Sequence, residues 1–149
     1  MILNFRKASL NDWEIISSLE KSVANKFYFP IIKEKEVKDY VNKSEVYVIE
    51  KDRKPIGTVS YEEKSKDHAY IDGLTINPKY QGRGYGSEAI HWLTKKLSEY
   101  KRVDLVTHPH NSKSIIIYLK NGFLIDGWRD NYFGDGEPRI VLSQVKNNL

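Results

Sequence analysis

The sequence predicts a mixed α/β layer fold that forms one domain over residues 1–149. Its hydrophobic patterns follow the order strand, two helices, three strands, helix, strand, helix, two strands. A chain of 149 residues is long enough to bury one core and too short for two ordinary domains. The sequence contains no linker, internal repeat or low-complexity segment. Together these observations favour a single layered domain.

The chain is expected to begin with a strand over about residues 2–7, followed by two helices. Asn11 or Asp12 is the predicted cap of the first helix, because short polar side chains accept hydrogen bonds from its free amides. The apolar stripe of this helix consists of Ile16, Leu19 and Val23. The second helix spans about 33–43, and its apolar face carries Val37, Tyr40 and Val41.

Three strands are predicted next, over about 46–50, 56–61 and 69–76. Lys54-Pro55 and the polar stretch 62–67 are expected to form the turns between them. Pro78 should end the third strand, because proline lacks an amide hydrogen and restricts the preceding residue.

The second half of the chain contains two further helices, each followed by strand patterns. A helix extends to about residue 100, supported by Ala89, Ile90, Leu93, Leu97 and Tyr100 at helical spacing. A strand over 103–108 precedes a helix that Asn111 should cap and Gly122 should end. The last strands are predicted over about 123–130 and 138–144.

Composition excludes several classes of function. The chain has no cysteine, so it has neither disulfides nor thiolate metal sites, and it fits a cytoplasmic location. No apolar run is long enough to span a bilayer, and no signal peptide is visible. Its charge of +4 is spread along the chain, which favours a phosphorylated small molecule over nucleic acid. No metal is expected, since His108-Pro109-His110 has no carboxylate beside it.

Three glycines stand at 82, 84 and 86 in the segment QGRGYG, just before the third helix. A glycine-rich turn that leads into a helix presents free amides and the positive end of the helix dipole, which together bind phosphate oxygens. The segment lacks the Gly-Lys-Ser/Thr ending of a P-loop and the GxGxxG spacing of dinucleotide folds. ATP and NAD are therefore disfavoured, although a plain tight connection would also explain the glycines.

Two blocks of residues resemble the GNAT superfamily of acyl-CoA-dependent N-acetyltransferases. Gln81–Gly86 is similar to its Gln/Arg-x-x-Gly-x-Gly/Ala signature, and LTINPKY is similar to the strand before it. Asn111, Tyr118 and Gly122-Phe123 resemble the second coenzyme segment of that family. The resemblance implies a mostly antiparallel sheet of about seven strands with about four helices. It also implies acetyl-CoA as co-substrate and an amine as acceptor, without metal, nucleic acid or membrane, in a monomer or homodimer.

The resemblance assigns the coenzyme contacts residue by residue. The pyrophosphate should lie on the Gln81–Gly86 backbone, and its pantetheine arm should lie beside the strand that ends at Ile76, in a splayed gap next to strand 103–108. The residues implied to bind the coenzyme are Leu74, Ile76, Gln81, Gly82, Arg83, Gly84, Tyr85, Gly86, Ser87, Asn111 and Tyr118.

The implied chemistry is direct attack of an amine on the thioester. Asp72 stands where several family members carry a glutamate and is the candidate base, with a structural acceptor role as the alternative. Tyr118 would protonate the leaving thiolate, or it is a core aromatic. The backbone amide near Ile76 would stabilise the oxyanion. A domain of this fold that binds acyl-CoA without catalysis is the alternative function.

Two segments are expected to contact the acceptor. Phe27, Tyr28 and Phe29 precede a proline in a helix connection that often lines the acceptor site of this family. Residues 129–137 resemble the hairpin of family members that acetylate protein N-termini, with Tyr132 in the place of one paired tyrosine and Phe133 in the place of the other. The acceptor is therefore a small amine compound or a peptide N-terminus, and the acidic hairpin either attracts a cationic amine or is a solvated tip.

Overall fold

The structure is a computed structural model that describes residues 3–25, 28 and 30–146. The chain divides into two compact units. Unit 1 comprises Met1–Glu62 and Asp72–Ala89, and unit 2 comprises Glu63–Ile71 and Ile90–Leu149. The single domain predicted over residues 1–149 stays a prediction.

Within the described residues, seven strands and four helices follow the predicted order. They are β1 Leu3–Lys7, α1 Trp13–Ser22, α2 Glu34–Lys43, β2 Glu45–Lys51, β3 Lys54–Ser65, β4 His68–Ile76, α3 Tyr85–Lys96, β5 Arg102–Thr107, α4 Ser112–Lys120, β6 Leu124–Arg129 and β7 Arg139–Val145. Two 3-10 turns, Leu10–Asp12 and Pro78–Tyr80, precede α1 and follow β4. No helix in this part of the chain is long and apolar enough to cross a bilayer.

The strands form one sheet in the order β1-β2-β3-β4-β5-β7-β6. The β1–β2, β2–β3, β5–β7 and β7–β6 pairs are antiparallel. The β4–β5 pair is parallel and joins His68–Tyr70 to Arg102–Asp104. This arrangement confirms the predicted mixed, mostly antiparallel sheet.

The core of unit 1 lies where α1 and α2 pack on β2. Its buried residues are Ala8, Ile16, Val37, Val46 and Val48, and Trp13, Ile15, Ile31, Tyr40 and Val41 pack against them. The predicted apolar face of α2 is thereby confirmed. In α1, Ile16 and Leu19 are buried as expected, whereas Val23 lies just beyond the helix end at Ser22.

A polar network holds the strands of unit 2 in register. The Arg102 guanidinium donates to Asp104 at 3.0 Å, Asp126 at 2.6 Å and Ser143 at 2.9 Å. The His68 ring bonds to the same Asp104 at 2.8 Å. Because these residues come from four different strands, the network connects β4, β5, β6 and β7.

The turn predicted over 62–67 is confirmed in place but is shorter than expected, since only Lys66 and Asp67 form it. Strand β3 continues through Ser65, and its charged end is stabilised by contacts such as that of the Lys64 ammonium with the Tyr70 ring, 5.3 Å from the ring centroid. The turn predicted at Lys54-Pro55 is displaced, since it lies at Asp52 and Arg53, which have φ of 51° and 66°. Pro55 is tolerated in β3 because the β2–β3 register shifts opposite it, between Ile49 and Glu50.

Candidate active site

The glycine turn between β4 and α3 has a backbone that other residues adopt only with strain. Gly82 and Gly84 have φ of 78° and 84°, in the left-handed region. A Cβ built at either glycine would meet no atom of the described residues within 4 Å. The glycines are therefore explained by backbone conformation and by an open outer surface, and packing against neighbours plays no part.

The start of α3 supplies the anion-binding groups predicted for this turn. The Glu88 amide donates to the Gly84 carbonyl at 3.0 Å, so Gly84 immediately precedes the helix. The amides of the next three residues have no intrahelical acceptor and lie at the positive end of the helix dipole. Arg83 lies with its guanidinium 5.6 Å from the Tyr80 ring centroid. This combination of amides, dipole and cation fits a pyrophosphate.

Gln81 is bound to the neighbouring backbone by two hydrogen bonds. Its amide donates to the Pro78 carbonyl at 3.3 Å. Its side-chain amide donates to the Ile76 carbonyl at 2.8 Å, which ties the turn to the end of β4. Leu74 and Ile76, the predicted contacts of the pantetheine arm, lie on this strand. That role stays a prediction, as does the splayed gap.

Unit 1 also contains a cavity of about 180 Å³. We call it the Glu20 cavity. It contains the predicted base, Asp72, and one of the predicted acceptor residues, Tyr28. Its lining consists of Glu20, Tyr28, Ile31, Tyr40, Thr58, Asp72, Gly73 and Thr75. Phe27 and Phe29, the other predicted acceptor residues of this segment, lie outside the described residues.

Glu20 is the residue of this cavity that sequence reasoning missed. Its side chain extends from the buried stripe of α1 and is 5% exposed. The Tyr28 hydroxyl donates to its two carboxylate oxygens at 2.7 and 2.6 Å, and the Thr75 hydroxyl donates at 3.3 Å. Burial raises the pKa of Glu20, and hydrogen bonds from Tyr28, Thr75 and the Ile31 amide offset that effect only in part.

Two tyrosines border this carboxylate. Burial raises the pKa of Tyr28, and the adjacent Glu20 charge raises it further. The Tyr40 hydroxyl is hydrogen-bonded to Ser60. Burial also raises the pKa of Tyr40; the Ser60 bond opposes this effect, while the negative charge of Asp72 adds to it. Both hydroxyls therefore stay protonated at neutral pH, and that of Tyr28 donates to the Glu20 carboxylate.

In unit 2, α4 positions the second pair of predicted residues. Tyr118 is 4% exposed, and its ring meets Phe123 edge to face with centroids 5.5 Å apart. Burial raises the pKa of Tyr118, so its hydroxyl keeps its proton. Asn111 precedes α4, but its side chain donates to the Thr107 hydroxyl at 3.2 Å and makes no cap bond. The expectation that Asn111 caps the helix is wrong in this respect.

The acidic side chains of the hairpin after β6 bond to side chains of the protein itself. Asp130 accepts from the Trp128 indole at 2.8 Å, Asp135 accepts from Arg139 at 2.9 Å, and Glu137 bonds to His108 at 2.7 Å. Tyr132 is 43% exposed, and its ring packs edge to face on Phe133 with centroids 4.7 Å apart. These contacts favour the interpretation of the acidic residues as a structured tip over that of an amine-attracting surface.

The comparisons with known proteins agree with the predicted fold. A model described as the acetyltransferase (GNAT) family matches residues 11–123. An uncharacterized N-acetyltransferase, YnaD of Bacillus subtilis (strain 168), is 23% identical, with 88% of this chain and 91% of that protein covered.

Two solved structures share the fold over nearly the whole chain. RimL, a ribosomal L7/L12 alpha-N-protein acetyltransferase in complex with coenzyme A, has a TM-score of 0.83 at 17% identity, covering 97% of this chain and 94% of its own. A chimera of spermidine N-acetyltransferase SpeG from Vibrio cholerae and hSSAT has a TM-score of 0.83 at 21% identity, covering 97% and 96%.

Proposed function

Because the chain belongs to the acetyltransferase (GNAT) family of enzymes, we propose that it transfers the acetyl group of acetyl-CoA to a primary amine by direct attack in a ternary complex. The observation that carries this proposal is the turn at Gly82 and Gly84, whose left-handed backbone leads directly into the amide-rich start of α3. The acceptor is a small amine compound or a peptide or protein N-terminus.

The residues present fit the coenzyme. The backbone from Gly82 to Gly86 would hold the pyrophosphate, with Arg83 and Ser87 as a charge and a hydroxyl near it. The arm would lie along β4 at Leu74 and Ile76, and the family resemblance makes Asn111 a further contact. The coenzyme supplies an activated thioester carbonyl. The protein supplies the groups that move protons.

Two side chains carry the proposed proton transfers. Alkylamines have pKa values near ~10.4, so the nitrogen must lose a proton before it attacks. Asp72 takes that proton. As the new N–C bond forms and the C–S bond breaks, the Tyr118 hydroxyl donates a proton to the leaving sulfur, and the Ile76 amide stabilises the carbonyl oxygen. Tyr118 is suited to this role because its burial keeps it protonated.

The coenzyme assignment is tested with a matched pair of glycine substitutions. Gly84→Ala and Gly136→Ala both place a side chain at positive φ, 84° and 83°, and in both the new Cβ meets nothing within 4 Å. The two variants should therefore lose similar stability. In calorimetric titration with acetyl-CoA, we expect affinity to fall about tenfold or more for Gly84→Ala alone, because the methyl occupies the surface on which phosphate oxygens lie. Equal affinities in both variants would show that the turn does not bind the coenzyme.

Catalysis is tested separately at Tyr118. We expect Tyr118→Phe to lower acetyl transfer about a hundredfold, within the usual range for a lost general acid, and to leave acetyl-CoA affinity nearly unchanged. Tyr100→Phe serves as the matched control and should keep wild-type turnover. If wild type binds acetyl-CoA but transfers acetyl to no amine in a broad panel, the non-catalytic acyl-CoA-binding module becomes the better explanation.

A further inference from the structure

We propose that the Glu20 cavity is the acceptor site and that Glu20 binds the ammonium group of a small, unbranched aliphatic amine that carries no carboxylate next to its nitrogen. This inference rests on the proposed acetyl transfer and specifies its substrate class. It makes Glu20 a substrate-binding residue for the reaction.

The charge of the cavity selects a cation. Among the described residues of the lining, Glu20 and Asp72 are acidic and the others are neutral at pH 7. The chain as a whole has a net charge of +4, whereas the charge of these lining residues is negative. Two carboxylates around one small volume attract an ammonium group and repel a third carboxylate.

In the described part of the chain, the Glu20 carboxylate contacts no cationic group. Within residues 3–25, 28 and 30–146, its carboxylate accepts from the Tyr28 and Thr75 hydroxyls, and the Ile31 amide lies near enough to lower its pKa; all three groups are neutral. A carboxylate with two oxygens offers about four acceptor positions, so these three donors leave room for another. Hydrogen bonds of this kind orient a buried charge, and a ligand cation would then neutralise it.

The size of the cavity limits the acceptor. A cavity of about 180 Å³ has room for several heavy atoms, since one water needs only about 10–15 Å³ measured in the same way. It holds an ammonium group and a short alkyl chain. The lining side chains beyond the carboxylates, among them Ile31 and the Tyr40 ring, offer apolar surface for such a chain. A peptide N-terminus would bring a carbonyl and a side chain next to its nitrogen, and these groups would have to lie at the open side of the cavity.

Three amines of nearly equal length test the proposal. Pentylamine, norleucinamide and norleucine differ only in whether the nitrogen-bearing carbon carries hydrogen, a neutral amide or a carboxylate. We would measure coenzyme A release with each acceptor, and the binding of each acceptor to the complex with coenzyme A by calorimetry. The amide has the lower amine pKa, near ~8, and hence more free amine at neutral pH, so intrinsic reactivity alone would favour it over pentylamine.

We expect the wild type to prefer pentylamine over norleucine by about a hundredfold in kcat/KM, with norleucinamide between them. Glu20→Gln should raise the KM for pentylamine about tenfold to a hundredfold, because it removes a charge-assisted contact while keeping the side-chain shape. Acetyl-CoA affinity should not change. Glu14→Gln, an exposed carboxylate on the same helix, is the matched control and should behave as wild type.

Two results would overturn the inference while leaving the proposed function intact. One is a wild type that transfers acetyl and prefers norleucinamide or a peptide N-terminus; the other is a Glu20→Gln variant whose pentylamine KM and calorimetric affinity match those of wild type. If Glu20→Gln does not fold, Tyr28→Phe replaces it, since loss of the hydroxyl that orients Glu20 should also weaken pentylamine binding. A wild type that acetylates no amine would count against both proposals.

Discussion

Two carboxylates of unit 1, Asp12 and Glu20, are buried to a similar degree but have opposite electrostatic environments. Asp12 is 7% exposed and Glu20 is 5% exposed. Asp12 receives two bonds from the Arg6 guanidinium, at 3.0 and 3.1 Å, whereas the described contacts of Glu20 are all neutral donors. Asp12 thus carries a charge that is neutralised within the fold, whereas Glu20 carries one whose described partners are neutral.

The pKa values of the two carboxylates shift in opposite directions, as their partners predict. Burial acts to raise the pKa of Asp12, but the bonds from Arg6 and Ser9 and the Arg6 charge outweigh it, so the pKa is lowered. Burial raises the pKa of Glu20, and hydrogen bonds without a cation do not reverse the direction. A positive partner therefore decides whether a buried carboxylate stabilises the folded state at neutral pH.

The largest expected effect comes from removing the cation on the Asp12 side. Arg6→Met should lower the free energy of unfolding by about 2 kcal/mol at neutral pH, because Asp12 would be left buried without its partner. This value is below that of a fully buried pair, since the Arg6 side chain is 38% exposed. Urea unfolding measures it.

The control for this prediction is the double variant. Arg6→Met in an Asp12→Asn background should be less destabilising than in wild type, because no buried charge is stranded. Arg6 also bonds to Glu50 at 3.2 Å, and that contribution should persist in both backgrounds. Equal effects in the two backgrounds would contradict the role given to the Asp12 charge.

A smaller effect is expected from Tyr28→Phe, which removes the hydroxyl that donates to Glu20. The loss should be about 1 kcal/mol, at the low end for a hydrogen bond to a charged group, because Tyr28 is 41% exposed. Tyr132→Phe, an exposed tyrosine of unit 2, should change the free energy of unfolding by less than about 0.5 kcal/mol. Identical stabilities of the two variants in urea would show that the Tyr28–Glu20 bond does not stabilise the fold.

The smallest expected effect is a difference in how the stabilities of the Glu20 and Asp12 variants depend on pH. The folded-state pKa of Glu20 is raised from its ordinary value of 4.5, so its contribution to stability is present below that value and is lost as pH rises through the folded pKa. Relative to wild type, Glu20→Gln should therefore become more stable as pH rises from about 4 to 7, by less than about 1 kcal/mol.

Asp12→Asn should show the opposite trend. The pKa of Asp12 is lowered from its ordinary value of 3.8, so its contribution is present above that value and is lost as pH falls through the folded pKa. The variant should be less stable than wild type at neutral pH, and the difference should shrink in acid. If the free energies of unfolding of the two variants, measured in urea, changed with pH in the same direction, the opposite roles given to Asp12 and Glu20 would be wrong.

The order of elements could be predicted because each depends on a local pattern. The spacing of Ile16 and Leu19 indicated α1, and Gly82 and Gly84 indicated the turn before α3, since left-handed backbone is required within a few residues of sequence. The cap positions Asp12 and Asn111 are confirmed, but the expected cap bonds are not formed. The Asp12 side chain bonds to Arg6 and Ser9 and that of Asn111 donates to Thr107, and the bonds to Arg6 and Thr107 could not be predicted from a local pattern.

Glu20 was missed for a related reason. Its partners Tyr28 and Thr75 lie 8 and 55 residues away in the sequence, so the cavity exists only after α1 and β4 meet. One local signal was present: Glu20 follows Ile16 by one helical turn and is adjacent to Leu19, so a charged residue occupies the buried stripe of α1. A carboxylate in such a position indicates either an ion pair or a ligand site.

Gly57 influences the position of Glu20 indirectly, through its contact with Thr75. A Cβ at Gly57 would lie 2.1 Å from the Thr75 carbonyl oxygen, so any other residue requires β4 to move. Thr75 donates to Glu20, and a displaced β4 would shift that hydroxyl and the cavity wall with it. Under the acceptor role proposed for the Glu20 cavity, a lineage that replaced Gly57 would alter its acceptor preference through a position outside the described lining of that cavity.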